Sequence, residues 1–336
     1  KYFNIYIYIQ VMNLLSKPYS LIRKELDEVE VCLRKVSETT FPLLSGIESS
    51  LISAGGKRLR PALFLLAARM AKKDDFADIV PLAASLELIH VASLIHDDVI
   101  DNSLLRRGKE TANAKYGNHV AVLAGDYLFA SAFGLISDKD YPRIVGGKIV
   151  EIVKLLAVGE IQQDSSLYKI TTDEEAYYCQ IEKKTAAFMA VCCEIGALVE
   201  GIGTDIANKL YNYGHNLGMA FQITDDLLDV TSNDETLGKP AGRDIKQGVI
   251  TLPVIYALKY SLKKERLAAI ISNPLMSEEE LQEAVMIVRE CEGIARSKKK
   301  VQEYVNKAKA FIPEECSENL RESFDFLADY ILKRNY

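Results

Sequence analysis

At 336 residues, 49% of them hydrophobic, the chain is long enough to bury one large core. Its net charge of -6 excludes the excess of Lys and Arg that a polyanion-binding surface requires, and with it nucleic acid as a partner. The six cysteines lack CxxC spacing and are too sparse for a disulfide framework, which points to a reducing cytoplasm.

The opening KYFNIYIYIQVMNLL is apolar but shorter than the roughly 20 residues of a membrane span, and it has no small-residue cleavage site. Residues 1–11 read as a peripheral extension ahead of a start at Met12. Apolar residues then recur every three or four positions, and strand-like alternation is missing beyond the first ten residues. The spacing predicts helices over 15–50, 61–72, 79–101, 112–137, 143–165, 173–199, 204–231, 249–261, 278–291, 293–310 and 317–334. Pro61 and Pro81 fall in the first turns of two of them, where a missing N–H costs little. The stretch 79–95 is apolar enough for a fully buried core helix, and no segment reads as transmembrane. No Pro-, Gly- or Ser-rich linker interrupts the chain, so residues 12–336 read as one all-α domain.

HDDVID supplies Asp97, Asp98 and Asp101, and TDDLLD repeats the pattern with Asp225, Asp226 and Asp229. Residues four apart share a helix face, so Asp97 and Asp101 converge, as do Asp225 and Asp229. Such like-charge pairs cost a few tenths of a kcal/mol, more in apolar surroundings, and so ask for a cation. One cluster alone reads equally well as a solvated helix end. Two clusters, each closing an otherwise apolar helix (SLELIHVASLI and NLGMAFQI), read as cation sites at the mouth of a core. Carboxylates without thiols select hard cations, and Mg2+ takes one or two of them plus phosphate oxygens, so several Mg2+ around one diphosphate is the expectation. Glu87 and His90 form one ExxH, a motif that di-iron bundles use twice, but His96, His119 and His215 are scattered singly.

Basic residues follow the acids. GGKRLRP places Lys57, Arg58 and Arg60 at a helix N-terminus, where free N–H groups and the helix dipole favour an anion. Arg106 and Arg107 come after the first acid cluster; Lys239, Arg243 and Lys246 come after the second. The Arg fork and the Lys point charge both suit phosphate oxygens, so one anionic group would be held through metal and another directly. His90, two turns before Asp97 on the same face, is either a phosphate donor or a satisfied core histidine.

GGKRLRP, HVASLIHDDVID, LLRRG, AGDYLFA, EKKTA, GMAFQITDDLLD, LGKPAGRD and TLPVIYAL, in that order, resemble the motifs of the trans-isoprenyl diphosphate synthase (polyprenyl synthetase) family over about residues 50–260. The second half is most similar to its long-chain branch, the catalytic components of heptaprenyl diphosphate synthases. The resemblance implies a bundle of the isoprenoid synthase type around a central apolar cavity. It also implies a Mg2+-dependent prenyltransferase that condenses isopentenyl diphosphate with an allylic diphosphate. Asp97, Asp101 and Asp225 would ligate Mg2+ on the allylic diphosphate, supported by Asp98, Asp226 and Asp229. Arg106, Lys184, Thr185, Gln222 and Lys239 would contact that diphosphate, with Lys184 counted among the catalytic groups. Isopentenyl diphosphate would fall to Lys57, Arg60, His90 and Arg107, with Arg58 beside them. A homodimer, or a heteromer with a small second subunit, is implied as well. Val249 departs from the pattern: many relatives have Lys or Asn there, so the basic role rests on Lys239, with Lys246 behind it.

This chemistry needs no protein nucleophile. Metal stabilises the departing diphosphate, the double bond of isopentenyl diphosphate attacks the allylic cation, and in the family the released diphosphate takes the proton. Ser93 and Ala92 lie about one turn before Asp97 and Ile89 a turn deeper, where short-chain relatives resemble one another in carrying a bulky aromatic floor. With small residues near the acids, each five-carbon unit gains roughly 3–4 kcal/mol of burial, which favours a product of roughly C30 to C45, of the kind used for a quinone side chain. Tyr127, Phe129 and Phe133 are candidates for a deeper floor or for plain helix packing. The rival readings are a short-chain farnesyl or geranylgeranyl diphosphate synthase, a terpene cyclase and a non-catalytic subunit. A cyclase would carry an Asn/Ser/Glu second motif and no GGKRLRP, and a non-catalytic subunit could lose the aspartates.

Overall fold

The computed structural model describes residues 19–38, 44, 46–47, 57–106, 108–231 and 241–333. After a 3-10 turn at Ser20–Ile22, α1 spans Arg23–Ser37, with Leu26, Val29 and Leu33 buried at helical spacing. The predicted helix over 15–50 is realised only to Ser37, because Glu38 already has non-helical backbone angles. α2 (Leu59–Ala68) and α3 (Val80–Ile100) carry Pro61 and Pro81 in their first turns, as predicted.

The stretch 112–137 is two helices rather than one. α4 (Ala112–Tyr116) and α5 (Asn118–Ser137) are separated by Gly117 at φ 83°, a backbone setting that suits glycine. α6 (Arg143–Ser166) follows, and then α7 (Glu174–Ile181), whose first turn is capped by Asp173 accepting from the N–H groups of Glu175 and Ala176. A π-turn at Glu182–Ala186 leads into α8 (Ala187–Val199), and α9 spans Thr204–Thr231. The remaining helices are α10 (Arg243–Lys246), α11 (Leu252–Tyr260), α12 (Lys264–Ile271), α13 (Glu278–Glu290), α14 (Gly293–Ala310) and α15 (Glu318–Leu332). α13 starts with a reciprocal Ser277–Glu280 capping box.

Two elements depart from the sequence reading. α12 occupies a stretch read as loop, where eight residues give too short a window for the period to stand out. A small antiparallel hairpin, β1 (Leu105–Arg106) with β2 (Lys109–Glu110), pairs Leu105 with Glu110 and Arg106 with Lys109. Two-residue strands leave no alternation to read.

The residues form two compact units: 1–150, 191–211 and 312–326 in the first, and 151–190, 212–311 and 327–336 in the second. In the first unit α3 is the central helix, packed on α5, α1, α2 and α4. Its side chains from Leu82 to Ile89 are all buried, as the apolar run at 79–95 predicts. In the second unit α11 packs on α14, α12 and α13 around Val254, Leu267, Ile271, Val285 and Val288. α5 differs from α3 in leaving Val122, Leu123 and Tyr127 exposed. Among the described helices it alone is long and apolar enough to cross a membrane, by length and composition; the sequence reading had not singled it out.

Candidate active site

The first acid cluster closes α3. Asp97 and Asp101 are half-buried there, and the Asp101 N–H donates to the Asp97 carbonyl at 2.8 Å. Asp98 turns the other way and is 2% exposed. Its Oδ2 accepts from Arg106 Nε at 2.8 Å, and its carbonyl accepts from Ser103 N and Asn113 Nδ2. Asn113 Nδ2 and Thr111 Oγ1 both donate to the Ser103 carbonyl, fastening the loop after α3 to the start of α4. The hairpin thus presents Arg106 to Asp98 by its Nε edge. Its sequence-predicted role at a phosphate would use the outer edge of the same guanidinium.

One turn of α5 supports this end of α3. His96 Nε2 lies 3.1 Å from the Val122 carbonyl and 3.6 Å from Asp126 Oδ1, and its ring is 5.7 Å from that of Phe129. A Cβ at Gly125 would stand 2.2 Å from His96 Nε2, so glycine permits this approach in AGDYLFA.

The residues of GGKRLRP divide their roles. α2 begins after Arg58, which is held at φ 46° and gives no side-chain cap, so the helix N-terminus beside Lys57 and Arg60 keeps its anion-favouring N–H groups. Arg58 itself is 10% exposed at its side chain and grips two carboxylates: both Glu30 oxygens, and Glu87 Oε1 at 3.0 Å. Burial opposes the charge of Arg58, but the hydrogen bonds and charges of Glu30 and Glu87 outweigh it and hold its pKa above the usual value. This placement makes Arg58 a brace among α1, α2 and α3, and moves it out of the substrate-binding set. Glu87 of the ExxH is committed to the same brace.

The second acid cluster is tied still more tightly. Asp226 is 4% exposed; its Oδ2 accepts the Tyr177 hydroxyl at 2.6 Å and its Oδ1 accepts Gln222 Nε2 at 2.9 Å. Gln222 Oε1 in turn accepts from Thr185 Oγ1 at 2.7 Å. Asp229 accepts the backbone N–H groups of Arg243 and Asp244, one on each oxygen at 3.1 Å, and so clasps the loop after α9. Burial raises both carboxyls, Asp226 to about 7 with help from the Asp244 charge, and Asp229 to about 6. Asp225 is half-buried beside them. The π-turn carries Lys184, whose Nζ lies 2.8 Å from Glu160 Oε2 and 3.1 Å from Gln163 Oε1. A Cβ at Gly218 would fall 2.5 Å from Ala186 Cα, so glycine lets α9 press on that turn.

Sequence reasoning missed Tyr177, Glu160, Gln163 and Asn113. Glu160 and Gln163 had a usable signal, a polar cluster (GEIQQ) closing an apolar stretch of α6. Tyr177 had none, being one of two adjacent tyrosines in a mixed helix. Lys246 pairs with Glu278 at the surface, and Val249 contributes its backbone N–H to the Asp244 carbonyl. Arg107 and Lys239 lie outside the described residues. Of the chain-length candidates, Ile89 and Ala92 are fully buried and Ser93 donates to the His90 carbonyl at 2.9 Å. Phe129 and Phe133 are half-buried, whereas Tyr127 is 36% exposed, which does not suit a floor inside this chain.

The donor set fits a hard divalent cation. Among the described residues, no three His, Cys, Asp or Glu side chains form a ready-made cage. The carboxylates are instead presented singly or in pairs at the ends of α3 and α9, as suits a cation that completes its shell with phosphate oxygens and water.

The chain matches the polyprenyl synthetase family over residues 41–288. It is 38% identical to heptaprenyl diphosphate synthase component 2 of Geobacillus stearothermophilus, covering 96% of this chain and 99% of that protein. It is 37% identical to solanesyl-diphosphate synthase 2, chloroplastic, of Oryza sativa subsp. japonica, over 86% of this chain and 72% of that one. The crystal structure of a polyprenyl synthase from Caulobacter crescentus, complexed with calcium and isoprenyl diphosphate, superposes with a TM-score of 0.90 at 32% identity, covering 95% of this chain and 98% of that one. With its all-α isoprenoid synthase fold and both aspartate motifs in place, the chain belongs to the polyprenyl synthetase family and is a prenyltransferase, a trans-prenyl diphosphate synthase.

Proposed function

We propose that this chain extends an allylic diphosphate by repeated Mg2+-dependent condensation with isopentenyl diphosphate, to a long product of roughly C30 to C45. The observation that carries the chemistry is the division within the first acid cluster, where Asp98 is fastened inward while Asp97 and Asp101 stand at the open end of α3. The length reading rests on two points: fully buried, small Ala92 beneath those acids, and similarity to relatives named for heptaprenyl and solanesyl products.

Asp97, Asp101 and Asp225 are the residues that would hold Mg2+. When bound, Mg2+ supplies the positive charge that stabilises a departing diphosphate. Lys184 carries a charge for the same diphosphate, and Glu160 and Gln163 hold its ammonium in place until substrate arrives. Thr185 and Gln222 offer a hydroxyl and an amide beside it. Lys57 and Arg60, at the N-terminus of α2, receive isopentenyl diphosphate. Apolar side chains around Ile89 and Ala92 keep water from the allylic cation.

The test is incubation of the purified chain with Mg2+, isopentenyl diphosphate and farnesyl diphosphate, followed by chromatographic sizing of the products. The wild type is expected to give chains beyond C25, and Ala92→Phe to shorten them by at least one isoprene unit. Product of unchanged length from the variant would remove Ala92 from the length reading, and no elongation by the wild type, alone or with a second subunit, would remove the reading itself.

The outer face of the first unit bears on assembly. Val122, Leu123 and Tyr127 of α5, with Ile144 and Val150 of α6, are 36–53% exposed. An apolar face of this kind marks an interface, and we assign it to a second copy of this chain. Light scattering is expected to give twice the chain mass for wild type and a single-chain mass for Leu123→Glu; equal masses for the two would overturn the assignment.

A further inference from the structure

We propose that Tyr177 is a positioning residue of the second acid cluster: its hydroxyl holds Asp226 in an inward, non-ligating pose so that Asp225 presents the carboxylate for metal. The inference rests on the synthase reading and assigns a residue that sequence motifs do not mark.

The geometry is directional. Thr185 has only one hydroxyl proton, and it donates that proton to Gln222 Oε1 at 2.7 Å. This fixes the amide orientation, so Gln222 Nε2 must face Asp226, which it does at 2.9 Å. One Asp226 oxygen is thereby taken from the α9 side. The other is taken by Tyr177 at 2.6 Å, a charge-assisted length, from a residue 49 positions earlier on α7. Tyr177 is 5% exposed and its ring sits edge-on to that of Tyr178 at 5.5 Å, so the phenol has little freedom to leave. The result is a continuous chain, Tyr177–Asp226–Gln222–Thr185, that couples the acid cluster to the π-turn bearing Lys184.

Without the phenol oxygen, a carboxylate that is 4% exposed retains only Gln222. A buried carboxylate short of one partner seeks another. The nearest stronger partner is a cation at Asp225, and turning toward it would pull Gln222 away from Thr185. Partners one shell out from a metal change its affinity or the rate by roughly 10–100-fold. Lys57 and Arg60 are not part of this chain of bonds, so handling of isopentenyl diphosphate should not change.

The experiment compares wild type, Tyr177→Phe, Asp226→Asn and the double variant. Mn2+ binding in the presence of inorganic diphosphate is followed by electron paramagnetic resonance, alongside kcat and both KM values. Tyr177→Phe is expected to weaken Mn2+ binding and lower kcat by roughly 10-fold or more, with KM for isopentenyl diphosphate within about twofold of wild type. If Tyr177 acts through Asp226, the double variant should bind Mn2+ no more weakly than Asp226→Asn. Wild-type Mn2+ binding in Tyr177→Phe, or losses that multiply in the double variant, would overturn the assignment. A wild type that binds Mn2+ with diphosphate but elongates nothing would instead remove the synthase reading, and the binding comparison would still decide the role of Tyr177.

Discussion

Asp97→Ala is expected to lower kcat/KM by about a hundredfold to a thousandfold while leaving the fold intact. Removing one preorganised group that stabilises developing charge costs on that order, and Asp97 has no structural task that its loss would expose. Its neighbour in sequence does: Asp98 is inward, paired with Arg106 and bonded through its carbonyl to Asn113. Asp97 and Asp101 are like charges four residues apart, so the alanine also relieves a repulsion of a few tenths of a kcal/mol, and the melting temperature should hold or rise slightly. Single-turnover rates and thermal melts on the same preparation separate the two effects. A variant with near wild-type turnover would remove Asp97 from the metal site.

Arg58→Ala should show the reverse, a large loss of stability with chemistry spared. The substitution strands Glu87, whose side chain is 6% exposed, and loosens Glu30. Removing one partner of a buried ion pair costs about 3–5 kcal/mol, because the remaining charge has neither water nor counter-ion. It also leaves φ 46° at position 58 without the three side-chain bonds that hold it. Lysine should recover only part of the loss, since it cannot present a planar fork to two carboxylates. Urea unfolding gives the free energy. At a temperature where the variant is folded, its KM for isopentenyl diphosphate should match wild type, whereas Arg60→Ala should raise it. A raised KM with unchanged stability would return Arg58 to the binding set.

These two residues illustrate what the sequence conveys. Which helices exist followed from the recurrence of apolar residues, and the acid clusters followed from identity and spacing, because carboxylates four apart on a helix have few bland explanations. The direction each acid faces was not readable. HDDVID and TDDLLD look symmetrical, yet Asp98, Asp226 and Asp229 are fastened inward by partners 8, 49 and 14–15 residues away. Arg58 is similar: one basic residue among three in GGKRLRP, it is distinguished only by Glu30 and Glu87, which no local pattern connects to it. The break at Gly117 and the hairpin at 105–110 depend on backbone angles and on two-residue strands, neither of which leaves a periodic trace.

The π-turn at Glu182–Ala186 has a consequence for how this chain can vary. Its wider loop accommodates one residue more than the surrounding helix would, so Lys184 and Thr185 owe their aim to a count as much as to their chemistry. Losing a single codon in EKKTA would restore ordinary winding and swing everything after it by about a quarter turn, although both side chains survived. Point changes at Glu182 or Lys183 leave that count untouched. Insertions and deletions therefore carry the heavier penalty in this segment, and length is the property to hold fixed when the enzyme is redesigned.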